Sequence, residues 1–251
     1  MIRVRSTLLR IVAFLAMLLL CLESGCSEYA GRSDFEQCKA RITSIAIVPP
    51  IVYYTSYQNP LFTYKGWEVG GTDDRYDPYL TDATQKNIEA VAKEIIGGSK
   101  YKRVDCAWPS DLDVRCAPNL ERLRKAVPGT LDEIDHRHGK DLNISMGTDC
   151  STVGECAGAS HLLFIEADGW STRKMFDHYT SESIWGTILG GERTNPDTGE
   201  AEPCKLRIRV LLIEASSGAV VFASNRAQRN VPGSHVKGTR AMLKKVLKPV
   251  L

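Results

Sequence analysis

Apolar positions along the chain recur with two different periods, and the switches between them outline the fold. Ile42 to Val48 (ITSIAIV) reads as a strand stopped by Pro49 and Pro50. Thr81 or Asp82 can cap a helix whose stripe is Ile88, Val91, Ala92, Ile95 and Ile96, ended by Gly97 and Gly98. A strand over 101–106 follows, then a helix over 119–126 broken by Pro128 and Gly129, then a helix over 131–138. His161 to Ala167 (HLLFIEA) reads as a buried strand. In 205–213 (KLRIRVLLI), Lys205, Arg207 and Arg209 alternate with Leu206, Ile208 and Val210, so one face is expected to be wet and the other buried. The turn EASSG (214–218) leads into 219–224, completing a hairpin. The chain closes on a basic amphipathic helix with Met242, Leu243, Val246, Leu247 and Val250 on one side, a face suited to packing on a sheet or, alternatively, to anionic lipid. This order predicts an α/β (mixed α+β) domain: a single mixed sheet with helices packed on its faces and long loops stapled by disulfides.

The amino terminus carries a different pattern. Arg3, Arg5 and Arg10 precede Ile11 to Leu22, twelve apolar residues without interruption. A membrane span needs about 20, so the run suits the apolar core of an export signal. Leu22-Glu23-Ser24-Gly25-Cys26 then resembles the lipobox of bacterial lipoproteins, with small residues before the cysteine and Glu23 standing where that pattern has an apolar residue. The resemblance implies cleavage before Cys26 and lipidation of its thiol. Ordinary cleavage to a soluble periplasmic protein is the alternative. The expected organisation is a signal peptide over 1–25, a lipidated polar tether over 26–40 and one globular domain over 41–251, with an aromatic loop at 51–80 and an insertion at 181–203.

Export changes how the cysteines are read. The mature chain keeps Cys38, Cys106, Cys116, Cys150, Cys156 and Cys204, an even number in an oxidising compartment. Six allow fifteen complete connectivities; short-range closures Cys106–Cys116 and Cys150–Cys156 are expected. A metal site would need ligands that share a face, yet there is no Cys-x-x-Cys, and His136 and His138 are two apart at a helix end. No metal and no cofactor is expected.

Composition narrows the class. A chain 43% hydrophobic and 25% charged can build a core. Its formal charge of +2 includes three arginines in the segment to be removed, so the mature domain is near neutral and nucleic acid is not an expected partner.

Thr43 to Pro50 (TSIAIVPP), the helix with Ile88 and Val91, Gly158 to Leu163 (GASHLL) opening a strand, and the hairpin turning at Ser217-Gly218 together resemble a group of envelope lipoproteins. That group includes the curli secretion-channel lipoprotein, the lipoprotein activators of penicillin-binding proteins, and proteins with the fold of the TolB amino-terminal domain. The resemblance spans 41–225 and implies a role in assembly, secretion or regulation rather than catalysis. It implies partners among other envelope proteins, copies of this chain included, and a membrane held through lipid at the outer membrane, facing the periplasm. The extra cysteines and the 181–203 insertion depart from the group, and no functional residue is carried over.

Catalytic motifs are absent in the form chemistry needs. Gly233 to Arg240 has phosphate-loop glycines without the lysine after the second one and reads as a lead-in to a helix. Gly158-Ala159-Ser160-His161 lacks the closing glycine of a nucleophile elbow. Asp73, Asp74, Asp77 and Asp82 lack the order of a calcium loop. One local feature stands above background: Tyr53, Tyr54, Tyr57, Phe62, Tyr64, Trp67, Tyr76 and Tyr79 place eight of the nineteen aromatics within 27 residues. Such rings either form a second small core or present a binding surface. Two roles follow: a non-catalytic accessory lipoprotein that binds envelope partners through these rings, or an exported hydrolase or small-ligand or carbohydrate-binding protein built on His136, His138 and the aspartates.

Overall fold

Two long antiparallel strands, β8 (His161–Thr172) and β9 (Cys204–Glu214), form the spine of the sheet, paired from His161↔Glu214 to Ser171↔Cys204. The computed structural model describes residues 29–57, 61–62, 69–70, 74–104, 116–136, 142–172, 204–229, 233 and 235–251. Strand β10 (Val220–Arg229) lies antiparallel on β9, and β1 (Tyr29–Gly31) lies antiparallel on β10. On the other side of β8, β2 (Ser44–Ile47) and then β3 (Ile51–Tyr57) run parallel to it. Outside these lie β7 (Lys102–Val104) on β2 and β6 (Asp74–Tyr76) on β3. The result is one eight-stranded mixed sheet, with β4 (Leu61–Phe62) and β5 (Val69–Gly70) as a separate pair. Helices cover both faces, the mixed α/β architecture read from the element order.

Strand β2 ends at Ile47, ahead of Pro49 and Pro50 as expected, and the chain rejoins the same sheet as β3 from Ile51. Ile47 pairs with Leu163 and Ile51 with Glu166, so three residues of one strand face two of the other. The prolines make a bulge, where their missing N–H groups are tolerated, and IVYYTSY resumes the ladder. Of the irregular loop expected over 51–80, 51–57 and 74–76 instead lie in the sheet, where β-branched and aromatic side chains favour the strand.

Residues expected as a polar tether are folded in part. Tyr29–Gly31 is bonded into the sheet, and helix α1 (Phe35–Arg41) follows. Phe35 is buried and stacks on Phe222, with centroids 5.5 Å apart. An aromatic ring and the buried Cys38 are what convert polar sequence into structure here.

Helix α2 (Pro78–Gly97) starts about a turn earlier than a cap at Thr81 or Asp82 would place it, because Asp77 caps it by accepting from Leu80 N at 3.0 Å and Pro78 occupies the first turn. The two expected helices over 119–138 are one, α3 (Ala117–His136), running through Pro128. A proline inside a helix costs about 3 kcal/mol. Leu120, Leu123, Val127, Leu131 and Ile134 remain one buried stripe on both sides of it, and their burial outweighs the lost hydrogen bond. Helix α4 (Asp149–Ala157) has no counterpart among the elements the pattern predicts; it ends at Gly158 in the left-handed conformation (φ 64°).

The disulfide pairing differs from expectation. Cys116, just before α3, bonds Cys156 in α4, with Cα atoms 6.6 Å apart. Neither Cys106–Cys116 nor Cys150–Cys156 can then form, and the bridge joins two helices rather than closing loops. The reason is helical rise: six positions along α4 separate Cys150 from Cys156 by about 9 Å, beyond the roughly 7 Å a disulfide spans. Cys150 points into the core, where burial first and Asp149 second push its thiol up to about 12. Cys38 and Cys204 are buried; Cys106 and Cys26 lie outside the described residues, as does the 181–203 insertion.

Alternation along the strands divides the core in two. One face, with Ile45, Leu163, Ile165, Ile208 and Phe222, is covered by α1, α2 and the closing helix α5 (Val236–Leu247). Met242, Leu243, Val246 and Leu247 are fully buried there, so the apolar side of α5 is core and is not available to lipid. The opposite face, with Phe164, Leu211 and Ile213, is covered by α3 and α4.

At Gly169 an added Cβ would come 2.5 Å from Lys205 O and 2.6 Å from the Tyr54 ring. Gly169→Ala is expected to cost about 1–3 kcal/mol, read as a lower urea midpoint with unchanged slope.

Candidate functional site

The tyrosine edge is built by β3 and β6. Period-two alternation sends Tyr53 and Tyr54 to opposite faces. Tyr54 is fully buried beside Gly169, its hydroxyl donating to Trp170 O and accepting from Gly233 N, each at 3.3 Å. Its ring belongs to the core rather than to a surface, a correction to its place among the candidates. Tyr53 points the other way and is 57% exposed. Thr55 pairs with Tyr76 across the ladder, which brings Tyr76 diagonally beside Tyr53. The two rings stack at 5.5 Å with a 29° interplanar angle, and Tyr76 is 51% exposed. Tyr79, in the first turn of α2, is 62% exposed. Tyr57 and Phe62 are placed in β3 and β4 by their backbones; Tyr64 and Trp67 lie outside the described residues.

Charge lies beside this edge on the same face. Asp168, the ladder partner of Tyr53, accepts from Arg207 Nε at 2.6 Å. Two residues further along β9, Arg209 is buried, against the expectation that its face is wet. That face carries Leu211 and Ile213 under α3 and α4, and Arg209 is covered with them. Arg209 donates to Glu166 (2.7 Å), to Asp132 (2.5 Å) and to Asp135 (3.2 Å), while Asn225 donates to Asp135 at 2.7 Å. Burial opposes the guanidinium's charge, but hydrogen bonds and charge from Glu166 and Asp132 outweigh it and raise its pKa. The same hydrogen bond holds Asp132 below the usual carboxylate range. The network ties the end of α3 to three strands. Its signal was present in the sequence as Arg209 sharing a strand face with Leu211 and Ile213.

A cleft of about 460 Å³ opens at the far end of the spine, lined by Arg41, Ser151, Gly154, Ser160, His161 and Glu214. Ser160 Oγ accepts from Ser44 N at 3.0 Å and lies 2.8 Å from Ser44 O and 3.0 Å from His161 Nδ1. Ser44 Oγ accepts from Ser160 N at 2.9 Å, so the two serines lock β2 to β8. His161 is buried, and burial lowers its pKa to about 4. Glu214 is engaged by Arg41 at 3.8 Å and by Ser217 Oγ at 2.6 Å and makes no hydrogen bond to the imidazole. A hydroxyl held by backbone on both sides and a histidine without an orienting carboxylate do not form a nucleophile relay.

The aspartates and histidines expected for a hydrolase are not brought together. Asp77 caps α2, and Asp82 pairs with Lys86 at 2.7 Å, on one side of the sheet. His136 ends α3 on the other side; Asp73 and His138 are outside the described residues, and Asp74 is placed only by backbone. Among the described residues no group of three His, Cys, Asp or Glu could hold a metal ion.

No protein-family model and no curated protein matches the chain. Solved structures with a similar course include the PelC dodecamer from Paraburkholderia phytofirmans, at 14% identity and a TM-score of 0.36, covering 90% of this chain and 96% of that one. Lipoprotein GNA1162 from Neisseria meningitidis aligns at 12% identity and a TM-score of 0.32, covering 82% and 96%. The LpoB C-terminal domain from Salmonella enterica aligns at 8% identity and a TM-score of 0.30, covering 79% and 95%. Likeness at this level assigns neither family nor role. Among the described residues no helix is long and apolar enough to cross a membrane.

Proposed function

We propose that this chain is an exported envelope lipoprotein, anchored through Cys26, that serves as a non-catalytic accessory factor in assembly, secretion or cell-wall machinery at the outer membrane. The observation that carries the reading is the stacked, exposed Tyr53–Tyr76 pair, with Tyr79 also exposed, on a domain that begins three residues after the lipobox cysteine. Tyrosine gives rigid contact area with a hydroxyl at its tip and loses little entropy on docking. The Asp168–Arg207 pair alongside supplies polar contacts for a protein partner.

The test is affinity purification of the tagged chain from gently solubilised envelopes. Wild type is expected to bring down stoichiometric partners. Cys26→Ser is expected to weaken recovery by removing the anchor, and Tyr53→Ser with Tyr76→Ser to abolish it without unfolding the domain, since an exposed ring pair contributes only about 0.5–1.5 kcal/mol. Equal recovery by the tyrosine variant would sink the assignment of the surface. Wild type emerging alone would turn the reading toward capture of a small ligand or carbohydrate.

A further inference from the structure

The distance from the anchor to the first bonded strand is short and bounded by covalent geometry. Tyr29, Ala30 and Gly31 pair with Ser224, Ala223 and Phe222; Ala30 is buried, and Arg32 N donates to Val221 O. Only Ser27 and Glu28 separate Cys26 from β1. Three peptide units reach at most about 11 Å, so Cys26 stays within that distance of Tyr29.

The ladder registers locate Tyr29 in the sheet. Ser224 faces Val210, and Val210 faces Ile165, beside the level of Pro50. From there β8 runs on to Thr172, seven residues or about 23 Å further. An 11 Å leash cannot carry the anchor past that end of the sheet, so it leaves from the side. That side is the β1–β10 edge, where β10 continues beyond its last β1 partner as Asn225-Arg226-Ala227-Gln228-Arg229, with two cations and no acidic residue. Among the described residues nothing pairs with the outer edge of this stretch. The tyrosine edge lies four to five strands away, about 19–24 Å.

We propose that the mature domain lies directly on the bilayer with its β1–β10 edge, held by the three-residue leash from Cys26, so that its tyrosine edge faces away from the membrane. This rests on anchoring at Cys26 as proposed above. Two acyl chains hold the leash at the interface. The orientation leaves Tyr53 and Tyr76 free for partners standing off the membrane.

Hydrogen exchange tests the orientation on the lipidated full chain in phosphatidylethanolamine–phosphatidylglycerol vesicles, against the soluble Cys26→Ser variant. Amides of 29–36 and 222–229 are expected to exchange about tenfold more slowly on vesicles, with 51–57 and 74–79 unchanged. A variant with twelve Gly and Ser residues inserted after Glu28 is expected to stay on the vesicles and lose the slowing. Protection at 74–79, or none, on a chain whose amino-terminal peptide carries the diacylglycerol mass would overturn the orientation and leave anchoring intact. Protection that persists with the long linker would overturn the leash. A peptide without the lipid mass would overturn anchoring, and the orientation with it.

Discussion

Arg209→Ala is expected to lower the unfolding free energy by about 3–5 kcal/mol, several times what losing an exposed ion pair such as Lys86–Asp82 costs. Its guanidinium is 3% exposed and the Glu166 carboxylate beside it 12%. Truncation leaves Glu166 charged in a site without a counterion, while Asp135 keeps Asn225 and Asp132 keeps water. Urea unfolding reads the loss directly. Arg209→Lys should recover part of it, because an ammonium keeps the charge but cannot bridge Glu166 and Asp132 with a planar fork. Arg209→Leu combined with Glu166→Leu should be far less damaging than Arg209→Ala, since neither charge is then left buried alone. Were Arg209→Ala neutral, the network would be surface decoration. The Asp132 carboxyl is lowered in the fold, so its contribution is present above the unfolded carboxylate range and lost as pH falls through its folded value.

Between pH 7 and pH 5 the protein is expected to lose about 2 kcal/mol of stability through His161 alone, and about 3 by pH 4. Burial holds the folded imidazole neutral down to about 4, whereas the unfolded chain binds a proton near 6.5. The unfolded state therefore carries more protons in this window, and stability is full above 6.5 and falls as pH falls toward 4. Asp34, Asp132 and Asp149 are all lowered and titrate beneath it, which isolates histidine between pH 7 and pH 5. His235 is lowered by burial and adds a smaller loss of the same sign. The measurement is urea unfolding of wild type and His161→Leu at the two pH values. Parallel slopes in both would show that the imidazole does not titrate from a buried site.

Much of the architecture was legible because its signals are local. The stripe from Ile88 to Ile96, the alternation in KLRIRV and the EASSG turn each state their element within one window, and the structure carries all three. Element ends and breaks were less legible. Pro128 has a strong local preference that the buried stripe of α3 overrides, and after Pro49 and Pro50 the ladder with β8 takes the chain up again; no window contains those partners. Of the tyrosines, alternation alone separates Tyr53 from Tyr54. Which of the two faces water depends on α2 and Gly169 lying over one face and not the other.

By itself the sequence determined the mixed α/β order and the crowding of aromatics into 53–79, and it set the expectation of an export signal and of lipidation at Cys26, since each is a matter of composition or period along a contiguous stretch. Tertiary structure alone decided that Cys116 meets Cys156 across 40 residues. It also decided that Arg209 is buried among carboxylates from another strand and a helix, and that Tyr53 stacks on Tyr76 at the edge away from β1. These are pairings between distant segments, whose energies depend on sheet register and helix placement rather than on neighbours in the chain.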